Sequence, residues 1–253
     1  MARLIPVNKE RHGTKSWRRF TSFSFAAQDH VATIVGAEIS KAATSMPLAF
    51  ARVQERYVLV AVLSLEPGRN LFVSTDGRWI GSYVPSGFQG FPFRLARGEG
   101  REDLVLCVYE DSGLVFEDRK AGEPFFDDGG EISKSLKRVM DFLLNVETNR
   151  KATEVAVSAL AEAEVIVPWS LKAGNKKIEG LYRIDETKLQ KVENSVFLGL
   201  RPTGAIPLAY AQLFSIANIA VLERLANVQE KIGATEAPKP MVFNDGDFIR
   251  FDE

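Results

Sequence analysis

The apolar positions of residues 57–65 (YVLVAVLSL) run almost unbroken, without the alternation of a strand that keeps one face in water. Such a run predicts a strand covered on both faces and placed inside a sheet. Pro67-Gly68-Arg69-Asn70 then carries turn chemistry, because proline presets φ while Gly and Asn tolerate positive φ. Two further strand-like runs, 71–74 and 78–84, flank Thr75-Asp76-Gly77, and Asp-Gly between such runs predicts a tight hairpin. Residues 57–93 therefore read as the meander around which the chain is organised.

Upstream, 31–44 has the Ala, Val and Ile content of a helix ending before Met46-Pro47, and 48–53 predicts a first strand. Downstream, 104–109 predicts another. Ser133 is placed to cap a helix over 134–149, where Leu136, Val139, Met140, Leu143 and Leu144 form one apolar stripe. Polar residues 148–153 mark the candidate subdivision of the chain, and 152–163 is again helix-prone. A second hairpin is predicted from 165–171 and 176–184 around Ala173-Gly174-Asn175, followed by a helix capped by Asp185. Over 208–231, Tyr210, Leu213, Phe214, Ala217, Val221, Leu222 and Leu225 recur at helical spacing and predict the longest amphipathic helix, ended by Gly233. The expected fold class is α+β: a mixed, mainly antiparallel sheet meander packed with helices, with a long C-terminal amphipathic helix. It is expected as a single domain over 1–230, followed by an acidic tail, 231–253.

Composition narrows the partners. With 253 residues, 45% hydrophobic residues and a formal net charge of -1, the chain supports a globular core and has no global attraction for nucleic acid or anionic membrane. The first twenty residues are locally basic, with Arg3, Lys9, Arg11, Lys15, Arg18 and Arg19 against Glu10. This arm is expected to pack on an acidic surface of the protein itself. Trp17, Phe20, Phe23 and Phe25 fit an arm docked on a core better than a base-stacking platform, which also needs a basic groove. No uninterrupted apolar run approaches the roughly 18 residues of a membrane span, and residues 20–27 are too short and polar for a secretory signal. A cytoplasmic location is the expectation.

The residue types that carry catalysis are sparse. His12 and His30 are the only histidines, both ahead of the meander, so a Ser-His-Asp or Cys-His arrangement would need a distant arm to reach it. No P-loop, HExxH, GxSxG or CxxC occurs. Cys107 lies inside an apolar run and is expected as a buried structural thiol. The carboxylates of 110–131 lack the order of a calcium loop and are expected as a solvated acidic turn. Hence no catalytic residue, metal ligand or cofactor is assigned. The one loop with the character of a binding lip is 85–93, with two prolines, two glycines and three phenylalanines. Tyr83, Phe88, Phe91, Phe93 and Arg94 are its candidate ligand- or partner-binding residues.

Several stretches together resemble the SapC family of bacterial proteins: Met46-Pro-Leu-Ala-Phe50, Gly68-Arg-Asn-Leu-Phe-Val73, Trp79 with Tyr83-Val-Pro85, and Phe91-Pro-Phe93. Cys107, Phe126-Asp127, Gly180-Leu-Tyr-Arg-Ile-Asp-Glu186, and Gly204 with Ala209-Tyr-Ala-Gln-Leu-Phe-Ser215 extend it. The resemblance implies association with a paracrystalline bacterial surface layer or with outer-membrane uptake systems, and supplies no catalytic motif.

Two functional readings stay open at this level. One is a non-catalytic accessory or binding protein that uses loop 85–93 to contact an unknown protein or small molecule. The other is a small-molecule-binding enzyme or enzyme subunit, with a pocket joining that loop to Tyr83, Arg94 and the acidic turn.

Overall fold

The computed structural model describes residues 3–97, 103–173 and 176–232. Strand β1 (Leu4–Pro6), helix α1 (Lys9–His12) and strand β2 (Ser16–Trp17) come first. Strand β3 (Val31–Thr33), helix α2 (Ile39–Ser45) and strands β4 (Leu48–Val53) and β5 (Arg56–Val62) follow. Helix α3 (Ser86–Gln89) precedes strands β6 (Phe93–Arg97), β7 (Leu104–Tyr109), β8 (Val115–Phe116) and β9 (Glu123–Pro124). Helix α4 (Lys134–Glu162) leads to strands β10 (Ile166–Pro168), β11 (Leu171–Ala173), β12 (Lys176–Ile178) and β13 (Leu181–Ile184). Helices α5 (Glu186–Lys191), α6 (Asn194–Leu200), α7 (Ala205–Ser215) and α8 (Ile219–Ile232) complete the described chain. The fold is α+β, with antiparallel strand pairing throughout these sheets.

The chain divides into two compact units, residues 1–21 with 88–147 and residues 22–87 with 148–253. In the first, one sheet runs β1-β7-β6 and another β8-β2-β9. The basic N-terminal arm thus supplies an edge strand to one sheet and the middle strand of the other. Trp17, on β2, is buried with Phe93, Leu106, Val108, Phe125, Phe126 and Leu136. Its ring meets Phe93 edge-on at 4.8 Å, an arrangement that aligns ring edge and face charges favourably. Helix α4 begins where Ser133 Oγ accepts the Leu136 N–H, the expected cap, and lays Val139, Met140 and Leu143 on this core.

In the second unit the sheet order is β10-β13-β4-β5-β3. Strand β5 lies inside the sheet, as its unbroken apolar run predicts, and Leu59 to Leu63 are all buried. Helix α7 covers the sheet in an unusual way. Its Gln212 is fully buried, accepting the Ile184 N–H through Oε1 (2.9 Å) and donating Nε2 to the Leu48 carbonyl (3.0 Å). Ser215 Oγ accepts the Leu48 N–H at 2.9 Å. Two polar side chains thereby close backbone groups that burial would otherwise leave unpaired.

Four expectations change. Residues 31–44 form strand β3, a 3-10 turn Gly36–Glu38 and the shorter α2, because Val31, Ala32 and Thr33 pair with Val62, Ala61 and Val60, and tertiary pairing outweighs propensity. The hairpin at 71–84 keeps its turn, with Gly77 at φ 81, yet reduces to a single bridge between Val73 and Trp79. Its backbone is captured elsewhere: Asn70 Oδ1 accepts the Phe72 N–H, and Gln229 Nε2 donates to the carbonyls of Asn70, Leu71 and Val73. The stretch 148–153 does not end a helix, since α4 runs unbroken for 29 residues and is the longest helix among the described residues. Its polar residues have no Gly or Pro and include the exposed face of that helix. The C-terminal helix is present as α7 and α8 joined by a 3-10 turn, Ile216–Asn218, and its predicted stripe is split: Leu222 is buried while Phe214 is 74% exposed.

The second predicted hairpin forms a two-step ladder, β10 with β13 and β11 with β12. Its Gly174 and Asn175, the Gly233 stop, and residues 233–253 of the acidic tail lie outside the described residues.

A proline at the centre of α4 tests its continuity. Thr148→Pro removes one backbone hydrogen bond and clashes with the preceding turn, so it lowers unfolding free energy by roughly 3 kcal/mol or more in urea titrations. An unchanged midpoint would mean that 148–153 is a linker.

Candidate functional site

Loop 85–93 spends most of its aromatic surface inside the protein. Phe88 and Phe93 are buried, Phe91 is half-buried, and Arg94 is exposed on β6 opposite Cys107. Phe91 stacks near Tyr109 at 6.0 Å and meets Phe20 edge-on at 6.3 Å. These four candidate residues share the first unit, whereas Tyr83 belongs to the second. Cys107 is buried as expected, and burial pushes its thiol pKa up, which suits a structural role.

Tyr83 marks a cluster that the sequence reading passed over. Its hydroxyl donates to Oε2 of Glu38, a carboxylate with no solvent exposure. Ser86 donates to the same group twice, from its N–H (2.8 Å) and its Oγ (2.7 Å), and the Val35 N–H donates to Oε1 at 2.9 Å. Four donors therefore surround one carboxylate, the arrangement by which a buried anion is tolerated. Burial first, and the adjacent Glu38 carboxylate second, drive the Tyr83 phenol far above the ordinary tyrosine range. The arrangement is a fastener for the 3-10 turn and the start of α3, not a site with a free acid or base. Reading 31–44 as one helix hid it. The available signal was Glu38 three residues after Val35, the spacing at which a glutamate side chain returns to a helix-start N–H.

Beside this cluster, still in the second unit, is a half-open cavity of about 250 Å³ lined by Gly36, Ala37, Thr153, Ala156, Gly204 and Leu208, among others. Its walls are mostly small or apolar. Thr153 Oγ1 accepts the Gly36 N–H (2.7 Å) and donates to the Asn149 carbonyl (2.6 Å), so its hydroxyl is already engaged.

In the first unit the basic arm meets acidic residues, as expected. Glu110 is clasped by Arg11, whose Nε donates to Oε1 at 2.7 Å, with Lys15 Nζ at 3.6 Å. Lys15 also reaches Glu117 at 2.8 Å. Fully buried His12 packs on Phe125 at 4.9 Å, its Nε2 3.1 Å from Glu110 Oε1 but not aligned for a hydrogen bond. Burial lowers the His12 pKa, and the Arg11 hydrogen bond holds Glu110 down at about 2. The acidic stretch is thus partly an internal counter-surface. Among the described residues no group of three or more His, Cys, Asp or Glu is placed to hold a metal.

One outward feature of the second unit is apolar and helical. Val196, Phe197 and Leu198 on α6 are all exposed, Leu198 by 64%, and Phe214 stands out from α7. Consecutive residues advance about 100° around a helix, so three exposed in a row show that α6 stands proud of its unit. The segment Ala205–Gln229 has the length and composition to cross a membrane, with a hydropathy of 1.7, yet only 33% of its most apolar window is buried. Two of its polar residues, Gln212 and Ser215, are turned inward, while Glu223 and Arg224 are exposed.

An α+β protein with a bonded inner helix face and an apolar outer one is the class these features define. The SapC family description matches residues 7–222, and the chain belongs to that family. Searches of curated proteins and of solved structures return no match.

Replacing Glu38 by Gln puts an amide NH₂ against groups that all donate, and lowers stability by roughly 2–4 kcal/mol, whereas Tyr83→Phe removes one donor and costs about 1–2 kcal/mol. Urea midpoints give both values; equal, negligible losses would contradict the fastener. Acid acts on the first unit in two stages. A neutral buried His12 contributes stability above the unfolded imidazole pKa of about 6.5, and this is lost as pH falls toward its lower folded value. Glu110 contributes above its ordinary value of 4.5 and loses that contribution as pH falls toward about 2. Denaturation midpoints followed from neutrality downward should fall in both windows, and Glu110→Gln should flatten the lower one.

Proposed function

We propose that this SapC-family protein is a non-catalytic accessory or binding protein whose contact surface is the apolar helical face of α6 and α7. The observation that carries this reading is the exposure of Val196, Phe197, Leu198 and Phe214 on neighbouring helices of one unit. Large apolar side chains grouped on a surface mark interaction sites more often than solvent-facing helix does. This moves the expected contact away from loop 85–93, whose rings are mostly buried. The proposal further links the protein, by its family, to surface-layer or outer-membrane uptake systems, and includes a cytoplasmic location.

A second reading rests on the cavity beside Glu38. At about 250 Å³ it suits a small apolar molecule or group, and it would make the protein a small-molecule-binding subunit. Native mass spectrometry of protein from its own host separates the two, because a stoichiometric small molecule favours the cavity.

A photo-crosslinking residue placed at Leu198 or Phe214, with exposed Glu162 as control, tests the first reading in the host cell. Adducts are expected from the two apolar positions and not from the control, and Phe214→Ala should weaken the captured interaction about ten-fold or more. Absence of adducts above the control would remove the face as a binding surface.

A further inference from the structure

We infer that the cavity beside Glu38 binds a short alkyl amphiphile, a free molecule of about six to eight carbons with its hydrocarbon end inside and its one polar end in water; this rests on the second reading, of that cavity as a ligand site. Three segments far apart in sequence build it. The 3-10 turn Gly36–Glu38 with the start of α2 forms one wall, the middle of α4 a second, and the turn into α7 a third. On α4, Asn149, Ala152, Thr153 and Ala156 share one face, because positions three and four apart lie one above the other along a helix. The 2.7 Å bond from the Gly36 N–H to Thr153 Oγ1 ties the first wall to the second across 117 positions, so the space is held open by the fold itself. At Gly204, in the third wall, φ is 76°, and a Cβ there would meet nothing within 4 Å.

Polarity selects the occupant. Thr153, Ala156 and Leu208 are buried, whereas Ala37, Ala152, Gly204 and Pro207 are exposed, so the cavity has a buried end and a mouth in water. No ionisable side chain lines it, and its polar residues are already engaged. Thr153 spends its hydroxyl on Gly36 and Asn149, and Thr203 donates to the Leu200 carbonyl (2.8 Å) while accepting the Ala205 N–H (3.3 Å). Asn149 has a partner as well. A hydroxyl or charge carried to the buried end would lose its water and gain nothing in return, while hydrocarbon gains by leaving water. A polar group at the mouth stays hydrated. The volume of about 250 Å³ is that of roughly eight water molecules in the liquid, and a methylene group is of similar size, which sets the chain length.

The test is titration of n-hexanol and of its doubly hydroxylated counterpart, hexanediol, into the isotope-labelled full chain, following the amide shifts of Gly36, Ala152 and Gly204. Saturable one-to-one binding of n-hexanol is expected to move those amides, and hexanediol should bind about ten-fold more weakly or worse, since one of its hydroxyls must enter the buried end. Ala37→Leu and Ala152→Leu fill the space from exposed positions and should each weaken n-hexanol about ten-fold or more. Lys151→Leu adds bulk at an exposed neighbour outside the lining and should leave binding unchanged; unchanged circular dichroism melting curves check that all three variants fold. Equal affinity for the two alcohols overturns the amphiphile class. Binding that neither filling variant weakens lies elsewhere and overturns the site. If n-hexanol does not bind, the inference fails, and the host-purified protein then decides the reading beneath it. A stoichiometric small molecule that Ala152→Leu loses keeps the cavity as a site for another class of ligand, whereas no retained molecule removes the cavity reading too.

Discussion

Leu48 is the hinge of the second unit's organisation. Its N–H and carbonyl, near the start of β4, are both taken by side chains of α7, the N–H by Ser215 and the carbonyl by Gln212, while Gln212 also closes the Ile184 N–H on β13. A buried backbone donor or acceptor left open costs about 1–3 kcal/mol, so these three bonds together outweigh any single apolar contact that α7 could make instead. They fix the rotation of the helix about its axis. Once Gln212 and Ser215 face the sheet, Ala205, Leu208 and Ala209 follow them inward and Phe214 is carried outward. The exposed face is therefore a geometric consequence of satisfying the sheet.

Glu38 plays the corresponding part at the edge of the same unit. A carboxylate with no solvent exposure survives because Val35, Tyr83 and Ser86 supply four donors. It ties residues 45 and 48 positions apart in sequence, which short-range patterning cannot see. The two small residues just before it, Gly36 and Ala37, leave the adjacent cavity open where larger side chains would fill it. A fastener and a cavity thus arise from one short segment, the former from its charge and the latter from its lack of bulk.

Much of this architecture was legible in the sequence, for identifiable reasons. Strands β4, β5 and β7 showed as continuous apolar runs, and Ser133 and Asp185 announced their helices, because burial and capping are local signals. The N-terminal arm's pairing with acidic residues was legible in its charge. What escaped was decided at long range. The 71–84 hairpin stayed short, bonded across by Ser74 to Arg78 and Ile80 to Phe72, while Gln229, more than 150 residues away, took the carbonyls of Asn70, Leu71 and Val73. The C-terminal stripe was found at the right spacing, yet Leu222 of it is buried and Phe214 exposed, since periodicity locates a face but cannot tell that Gln212 is needed inside. Loop 85–93 looked like a binding lip by composition, yet the sequence held no information on whether its rings turned inward.

The two parts of the outer face have different standing. Rotating α7 to bury Phe214 would gain about 1.5–3 kcal/mol of apolar burial while breaking the bonds to Leu48 and Ile184, so its exposure is explained by structure alone. No such constraint acts on α6. Its N-cap Glu193 makes no side-chain hydrogen bond to the helix, Leu200 is its one buried residue, and the exposed Val196, Phe197 and Leu198 offset no buried polar group. Polar residues at those three positions would leave the fold's bonding untouched. The surplus apolar surface of α6 is thus the part of this face that folding does not require, and under the proposed reading residues 196–198 are where contact would centre.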